Sequence, residues 1–382
     1  MKSIKRRGHM GFPGNQQPTA ISLFSGAGGM DLGFTRAGFR VLFSNEMDPD
    51  AAATYCSNAA YLDASAMHVG DVHDFLPAIS SFDGVDLVFG GPPCQGFSVA
   101  GKMDPCDARS GLVFTFMDVV ESVKPRVFVM ENVRALAKLS KWQPVRERLL
   151  QQAKGLGYGC CLLLLNAADY GVPQARERMF FIGASGLPSE MVEKLVEDRL
   201  QECRQAAPTA GEVLSSLPAY GSDGNPVTCT AAIHLAKHPI IRRSPYAGSL
   251  LFNGRGRPIN LNSVAKTLPA EMGGNHTPIV NQTLLDNPSA EDWLVSYHEA
   301  LCNGAIAPEA THVPDDFRRL TVREAAALQT FPNDYHFCGR VAKQYRQIGN
   351  AVPCRLAELV AGAVASQLLP RVRDQRPKLL SC

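Results

Sequence analysis

Cys94 stands in the run Gly90-Gly91-Pro92-Pro93-Cys94-Gln95-Gly96-Phe97-Ser98, directly after the apolar segment 85–89. A short apolar segment of this kind reads as a strand buried in a parallel sheet, and two prolines stiffen the turn that follows it. A thiol held there suggests a nucleophile. The alternative is a structural cysteine packed in a core. Glu131, in Glu131-Asn132-Val133, closes another apolar segment beginning at Val127, and its carboxyl lies beside the Cys94 strand if consecutive strands are neighbours. In Gln174-Ala175-Arg176-Glu177-Arg178 the two arginines are two residues apart, so on an extended segment they point the same way. Together these groups can do nucleophilic chemistry with proton transfer.

A second constellation lies nearer the start. In Leu23-Phe24-Ser25-Gly26-Ala27-Gly28-Gly29-Met30 the glycines let backbone approach a ligand closely between a strand and a helix. Glu46 follows Gly26 by twenty residues, the distance at which a doubly wound fold sets a carboxylate on a ribose hydroxyl pair. Asp71 stands near the end of an expected third strand and can accept from an adenine amino group or serve only as a helix N-cap. The set describes an adenosine-bearing cofactor at the carboxyl edge of the sheet.

The elements that must position these groups alternate between short apolar runs and amphipathic stretches, which argues for a doubly wound, mostly parallel α/β sheet. Strands are expected at 20–24, 40–44, 85–89, 127–130, 161–165 and 179–183, and helices within 48–60, 111–123 and 143–154. Beyond Ser185 the alternation stops and Pro, Gly and Asn become frequent. Thr321-Val322-Arg323-Glu324 has the form of a capping box, and a last apolar helix is expected over 351–369 with Pro353 in its first turn. The domains read as a basic tail at 1–18, a catalytic and cofactor-binding domain at 19–186 and 318–382, and a recognition domain at 187–317.

The chain has 382 residues, a net charge of +2 and eleven cysteines. No C-x₂₋₄-C pattern suggests zinc, so reduced thiols in a cytoplasm and no metal are expected, and no apolar run approaches a membrane span. Charge distribution is more informative than net charge. Residues 224–270 contain no Asp or Glu but include Lys237, Arg242, Arg243, Arg255, Arg257 and Lys266, which suits a polyanion-binding surface or, more plainly, a solvated face.

This set of motifs, in this order, resembles the cytosine-5 DNA methyltransferases. The resemblance rests on the glycine turn, Glu46, Asp71, Pro93-Cys94-Gln95, Glu131-Asn132-Val133, Gln174-x-Arg176-x-Arg178, Arg319-Leu320-Thr321-x-Arg323-Glu324 and Gly349-Asn350-Ala351-Val352-Pro353. It covers residues 19–185 and 318–370. It implies a Rossmann-like methyltransferase fold with a smaller irregular target-recognition domain and a C-terminal helix that returns to the large domain. It also implies methyl transfer from S-adenosylmethionine, leaving S-adenosylhomocysteine, to carbon 5 of a cytosine in double-stranded DNA. Cys94, Glu131, Arg176 and Arg178 are the implied catalytic residues, with the base flipped out and residues 95–111 closing over it.

The implied cofactor contacts are Phe24, Gly26, Ala27, Gly28, Gly29, Glu46, Met47, Asp71, Val72, Pro93, Asn350 and Val352. Met47 stands where the family often has an aromatic residue. Implied DNA contacts are Gln95, Ser98, Arg242, Arg243, Arg255, Arg257, Lys266 and Thr267, the last in a Thr267-Leu268 signature. A cytoplasmic monomer with a cognate restriction endonuclease acting on the same site is expected. The rival readings are a transfer-RNA methyltransferase with the same motifs, a non-catalytic DNA-binding relative, and a dinucleotide oxidoreductase sharing the glycine turn.

Overall fold

The structure is a computed structural model that describes residues 17–93, 111–308 and 310–371. Within them the chain packs as two compact units. The first comprises the described residues of 1–165, 177–203 and 356–382, and the second those of 166–176 and 204–355.

The first unit is built on a sheet whose strands are β1 (Thr19–Leu23), β2 (Arg40–Glu46), β3 (Met67–Val69), β4 (Leu87–Gly90), β5 (Val127–Val133), β6 (Tyr158–Asn166) and, after a short β7 (Gln174–Ala175) outside it, β8 (Glu177–Ser185). Among the described residues its order is β3-β2-β1-β4-β5-β8-β6. Strands β1 to β5 run parallel, and β8 runs antiparallel to β5. The order reverses between β1 and β4, the point where such sheets open a crevice.

Register fixes the chemistry's location. Leu23 pairs with Asn45 on one side and Gly90 on the other, Gly90 pairs with Met130, and Glu46 pairs with Val69. Phe24, Glu46, the Gly70-Asp71 step, Gly91 and Glu131 therefore line up along one edge. Because β8 runs backwards, its first residues reach that same edge, with Arg178 opposite Val133.

The core forms on both faces of this sheet. Helices α1 (Gly29–Arg36), α2 (Pro49–Ser57), α3 (Val72–Ile79), α4 (Leu112–Val123), α5 (Arg134–Lys138) and α6 (Gln143–Gly155) follow in order. Val113, Phe116, Met117 and Val120 of α4 join Val88, Phe128 and Met130 in one fully buried cluster. Alternation along β4 turns Phe89 to the other face, where it stacks on Phe34 of α1 with ring centroids 4.1 Å apart.

Helix α7 (Ser189–Glu202) belongs to the first unit, although residues from 187 were expected to be irregular. It buries Val192, Val196 and Leu200, a spacing of four. Residues 318–355, expected with the catalytic part, pack within the second unit. That unit also holds α8 (Ala210–Ser215), β9 (Leu235–Ile240), β10 (Leu250–Phe252), β11 (Ala265–Lys266), β12 (Ile279–Asn281), α9 (Gln282–Asp286), α10 (Trp293–Cys302), β13 (Phe317–Arg319), α11 (Val322–Leu328) and α12 (Val341–Asn350). Both bonds of the Thr321–Glu324 capping box are present at the start of α11.

The single helix expected over 351–369 is instead α13 (Cys354–Ala363), continued by a π turn at Val364–Leu368 and separated from α12 by a break at 351–353. Pro353 explains the break, since it has no N–H and clashes within a helix. Taken together, Val341–Leu368 has the length and hydropathy of a membrane span, but 67% of its apolar window is buried inside the protein. The chain's last turns return to the first unit, where Leu368 is buried and Arg126 donates to Leu369 O and to Asp86 Oδ1.

Asp31, fully buried on α1, is the least expected core residue. Ser44 Oγ donates to its Oδ1 at 3.1 Å and lies 3.0 Å from Tyr55 Oη. Burial pushes its carboxyl up to about 7, against hydrogen bonds from Ser22 and Ser44 that pull it down. The folded chain therefore keeps a proton that the unfolded chain sheds near pH 4, and this group's contribution to stability declines as pH rises from about 4 to 7. Asp31→Asn removes that dependence, so the variant should gain on the wild type across this window by on the order of 4 kcal/mol. Urea unfolding midpoints at four pH values test it, and parallel curves for the two proteins would contradict it.

Candidate active site

At the β1–α1 turn, Phe24 and Gly26 each have φ +56° and Gly28 has φ +82°. Gly28 is the N-cap of α1 and gives it no side-chain cap, so the helix start presents backbone N–H groups with the positive end of its dipole. Glycine at 28 permits this left-handed step. Glu46 braces the turn: its Oε2 accepts from Gly26 N–H at 2.8 Å and its Oε1 from Asp48 N–H at 2.7 Å. Burial raises its carboxyl pKa, and these backbone bonds oppose the rise.

Beside it, Met47 is 71% exposed, a large apolar group left in water, while Val72 is buried. Asp71 is the N-cap of α3, accepting from His73 N–H at 3.0 Å, with the His73 ring Nδ1 2.6 Å from the same oxygen. Those two bonds hold its carboxyl below the usual range. His73 Nε2 in turn lies 3.3 Å from Thr115 Oγ1 of α4. Glycine N–H groups, apolar Phe24 and Met47, and two carboxylates on one edge fit an adenosine-bearing ligand.

At the next strand ends, Glu131 is buried and Arg178 Nε donates to its Oε1 at 2.8 Å. Gly91 makes room for the pair, because a Cβ there would stand 2.9 Å from Glu131 Oε2. Asn132 Nδ2 donates to Pro92 O at 3.2 Å and so straps the proline turn to β5. Pro93 is partly buried at the end of that turn. Cys94, Gln95, Ser98 and the segment 95–110 lie outside the described residues. The turn and the Glu131–Arg178 pair leave a carboxylate, a cation and the stem of the cysteine loop on adjacent strand ends.

The remaining predicted groups belong to the second unit. Arg176, 1% exposed, donates to Leu268 O at 3.2 Å and Gly349 O at 2.6 Å. The expectation that it points with Arg178 overlooked an interruption between β7 and β8, so the two arginines take different partners. Asn350 is exposed at the end of α12 and Val352 is buried in the break after it.

Three cations of the acid-free window converge. Arg255, Arg257 and Lys266 line a cavity of about 400 Å³ with Tyr246, Asn260, Thr267 and His276, and no carboxylate lines it. Burial lowers the Arg257 and Lys266 pKa values, helped by Arg255 against Arg257 and by Arg257 against Lys266. Mutual repulsion without a counter-charge marks a place where an anion is welcome. Lys237, Arg242 and Arg243 are exposed and do not line it.

Reading the sequence missed Asn132 and Gly91 as supports of the site, although both lie inside motifs it singled out. His73 was missed as well, and its spacing of two from Asp71 was the available signal.

The C-5 cytosine-specific DNA methylase family matches residues 19–366. Type II methyltransferase M1.HphI of Haemophilus parahaemolyticus is 33% identical over 358 residues, covering 91% of this chain and 86% of that protein. M.XorII of Xanthomonas oryzae is 32% identical, covering 94% and 87%. Among solved structures, the S. pombe Dnmt2 methyltransferase has a TM-score of 0.58 at 15% identity, covering 93% of this chain and 99% of that one. The Entamoeba histolytica methyltransferase EhMeth has a TM-score of 0.61 at 14% identity, covering 92% and 98%.

If the cavity grips phosphates, Arg255→Ala, Arg257→Ala and Lys266→Ala should each flatten the slope of log affinity against log salt for duplex DNA by about one unit. Lys237→Ala serves as an exposed comparison. Slopes equal to wild type in all three cavity variants would place the phosphate contacts elsewhere.

Proposed function

We propose, from the premise that this chain belongs to the C-5 cytosine-specific DNA methylase family, how its residues divide the work of methylating cytosine. The protein is a DNA cytosine-5 methyltransferase. Enzymes of this family use S-adenosylmethionine, which when bound supplies an electrophilic methyl group. Phe24, the Gly26–Gly29 turn, Glu46, Met47, Asp71 and Val72 are the residues we assign to holding it, with Glu46 on the ribose and Asp71 on the adenine amino group.

Carbon 5 of cytosine is too electron-poor to attack a sulfonium methyl group unaided. In our reading the Cys94 sulfur, having lost its proton, forms a bond to carbon 6 of a cytosine turned out of the duplex. The ring's double-bond electrons then make carbon 5 nucleophilic. Glu131, positioned by Arg178, is assigned in its protonated form to give its proton to ring nitrogen 3 as the thiolate adds, offsetting the charge that addition creates, and to take that proton back when the thiolate leaves. Once carbon 5 carries the methyl group, a base removes its proton, the double bond reforms, and the Cys94 thiolate leaves.

The observation that carries this reading is the Glu131–Arg178 pair at 2.8 Å, set beside the Gly91-Pro92-Pro93 turn that Asn132 holds. We assign sequence recognition to the second unit, with Arg255, Arg257, Lys266 and Thr267 facing DNA. The type II names of its relatives support a modification enzyme with a cognate endonuclease for the same site, and we take it to act in the cytoplasm as a monomer.

Bisulfite sequencing of a plasmid from cells expressing the protein should show methylcytosine at one recurring sequence. A duplex carrying 5-fluorocytosine there should trap the wild type covalently, since fluorine cannot leave as a proton does. Cys94→Ala should neither methylate nor trap while still binding DNA. Trapping that survives in Cys94→Ala, or shifts to Cys106, would sink the assignment.

A further inference from the structure

Gln174, Arg176, Thr267 and Leu268 form a connected set of bonds inside the second unit. Strand β7 pairs in parallel with β11, Gln174 opposite Ala265 and Ala175 opposite Lys266. Past the paired residues the contact continues through side chains. Thr267 Oγ1 donates to Ala175 O at 2.7 Å, Gln174 Oε1 accepts from Leu268 N–H at 3.0 Å, and Arg176 donates to Leu268 O. Both backbone groups of Leu268 are thus taken by side chains of one motif.

The same two side chains reach further. Gln174 Nε2 donates to Leu328 O at 3.3 Å, and Arg176 donates to Gly349 O. Gly349 lies so close to the recognition segment that a Cβ on it would come within 2.4 Å of Pro269 O. A planar guanidinium can serve two carbonyls at once, which an ammonium on a flexible stem does less well. Lys266 and Thr267, held at the near end of this clamp, line the basic cavity.

We propose that Arg176, with Gln174, is a positioning residue that fixes the Lys266-Thr267-Leu268 backbone for reading the DNA sequence, and does not itself act on the cytosine. The proposal rests on the reading that the second unit recognises DNA. A loosened clamp lets the cavity-lining residues shift, and shifts on the scale of an ångström degrade a preorganised site.

The test uses the full chain with its cognate duplex, identified from the bisulfite map, and a scrambled duplex. Arg176→Met and Gln174→Leu remove different bonds to the same residue. Each should cut the cognate-to-scrambled binding ratio about tenfold, within the discrimination that one base-reading pair supplies. The double variant should lose little more, because the two act on one segment. Single-turnover methyl transfer at saturating DNA and cofactor should stay near wild type in Gln174→Leu, and Arg176→Lys should recover part of the ratio.

If Arg176→Met transfers far more slowly with its discrimination intact while Gln174→Leu behaves as wild type, Arg176 acts on the base and the proposal fails. Should Arg176→Met not fold, as judged by its thermal unfolding, Gln174→Leu decides, and full discrimination there overturns the clamp. A wild type that binds both duplexes equally would fail the recognition reading itself, before any variant is compared.

Discussion

Everything proposed for the first unit depends on backbone register along one sheet edge. Leu23, Asn45, Gly90 and Met130 are level through the ladders of β1, β2, β4 and β5, so the residue after each begins the site. The constraint is unforgiving, because a slip of one position in any strand turns its side chains to the opposite face. Burial guards against such slips. Ile21, Leu23, Val88, Phe89, Phe128 and Val129 are all fully enclosed, and moving any of them would empty one core to crowd the other.

A carboxyl edge assembled this way gathers charge, with Glu46 and Glu131 largely shielded from water and Asp71 exposed, and each of the three has a partner. Glu46 finds two backbone N–H groups, Glu131 finds Arg178, and Asp71 finds His73. The three solutions differ in kind. Glu46 is tied to the turn it supports, so anything that loosens Gly26 also loosens the carboxylate. Glu131 is tied across strands, so its placement depends on the antiparallel β8 being seated. Asp71 sits nearest the surface and relies on a contact within its own helix start. A buried ion pair with one member removed costs far more than the pair contributes, which makes Arg178 a support for Glu131 as much as a chemical group.

Much of this edge was legible because its residues follow strand ends marked by apolar runs and turn residues. The glycine turn, Glu46, the proline turn and Glu131 all sit where such reading puts them. The Thr321–Glu324 box was equally plain, since capping is local chemistry. What escaped was non-local. Nothing in the run 174–178 reveals that the strand is interrupted at Arg176, so two arginines with the same apparent role spend their donors differently. The reversal of β8 is invisible for the same reason, because an apolar strand reads alike in either direction. Helix α7 was missed although Val192, Val196 and Leu200 carry its period, because the strongly charged residues between them mask the apolar stripe. The acid-free window announced a basic surface, but only the fold could separate Arg255, Arg257 and Lys266 from Lys237, Arg242 and Arg243.

The second unit is drawn from two separate stretches, 166–176 and 204–355, and the shorter contributes a strand that pairs with β11 in the longer. This has a consequence for building hybrid enzymes. An exchange of the long stretch alone would leave residues 174–176 facing a foreign partner, with the donors of Arg176 and the amide of Gln174 aimed at a backbone that need not meet them. The transplantable module is therefore discontinuous, and a working chimera has to carry eleven residues from far upstream along with the longer stretch they hold.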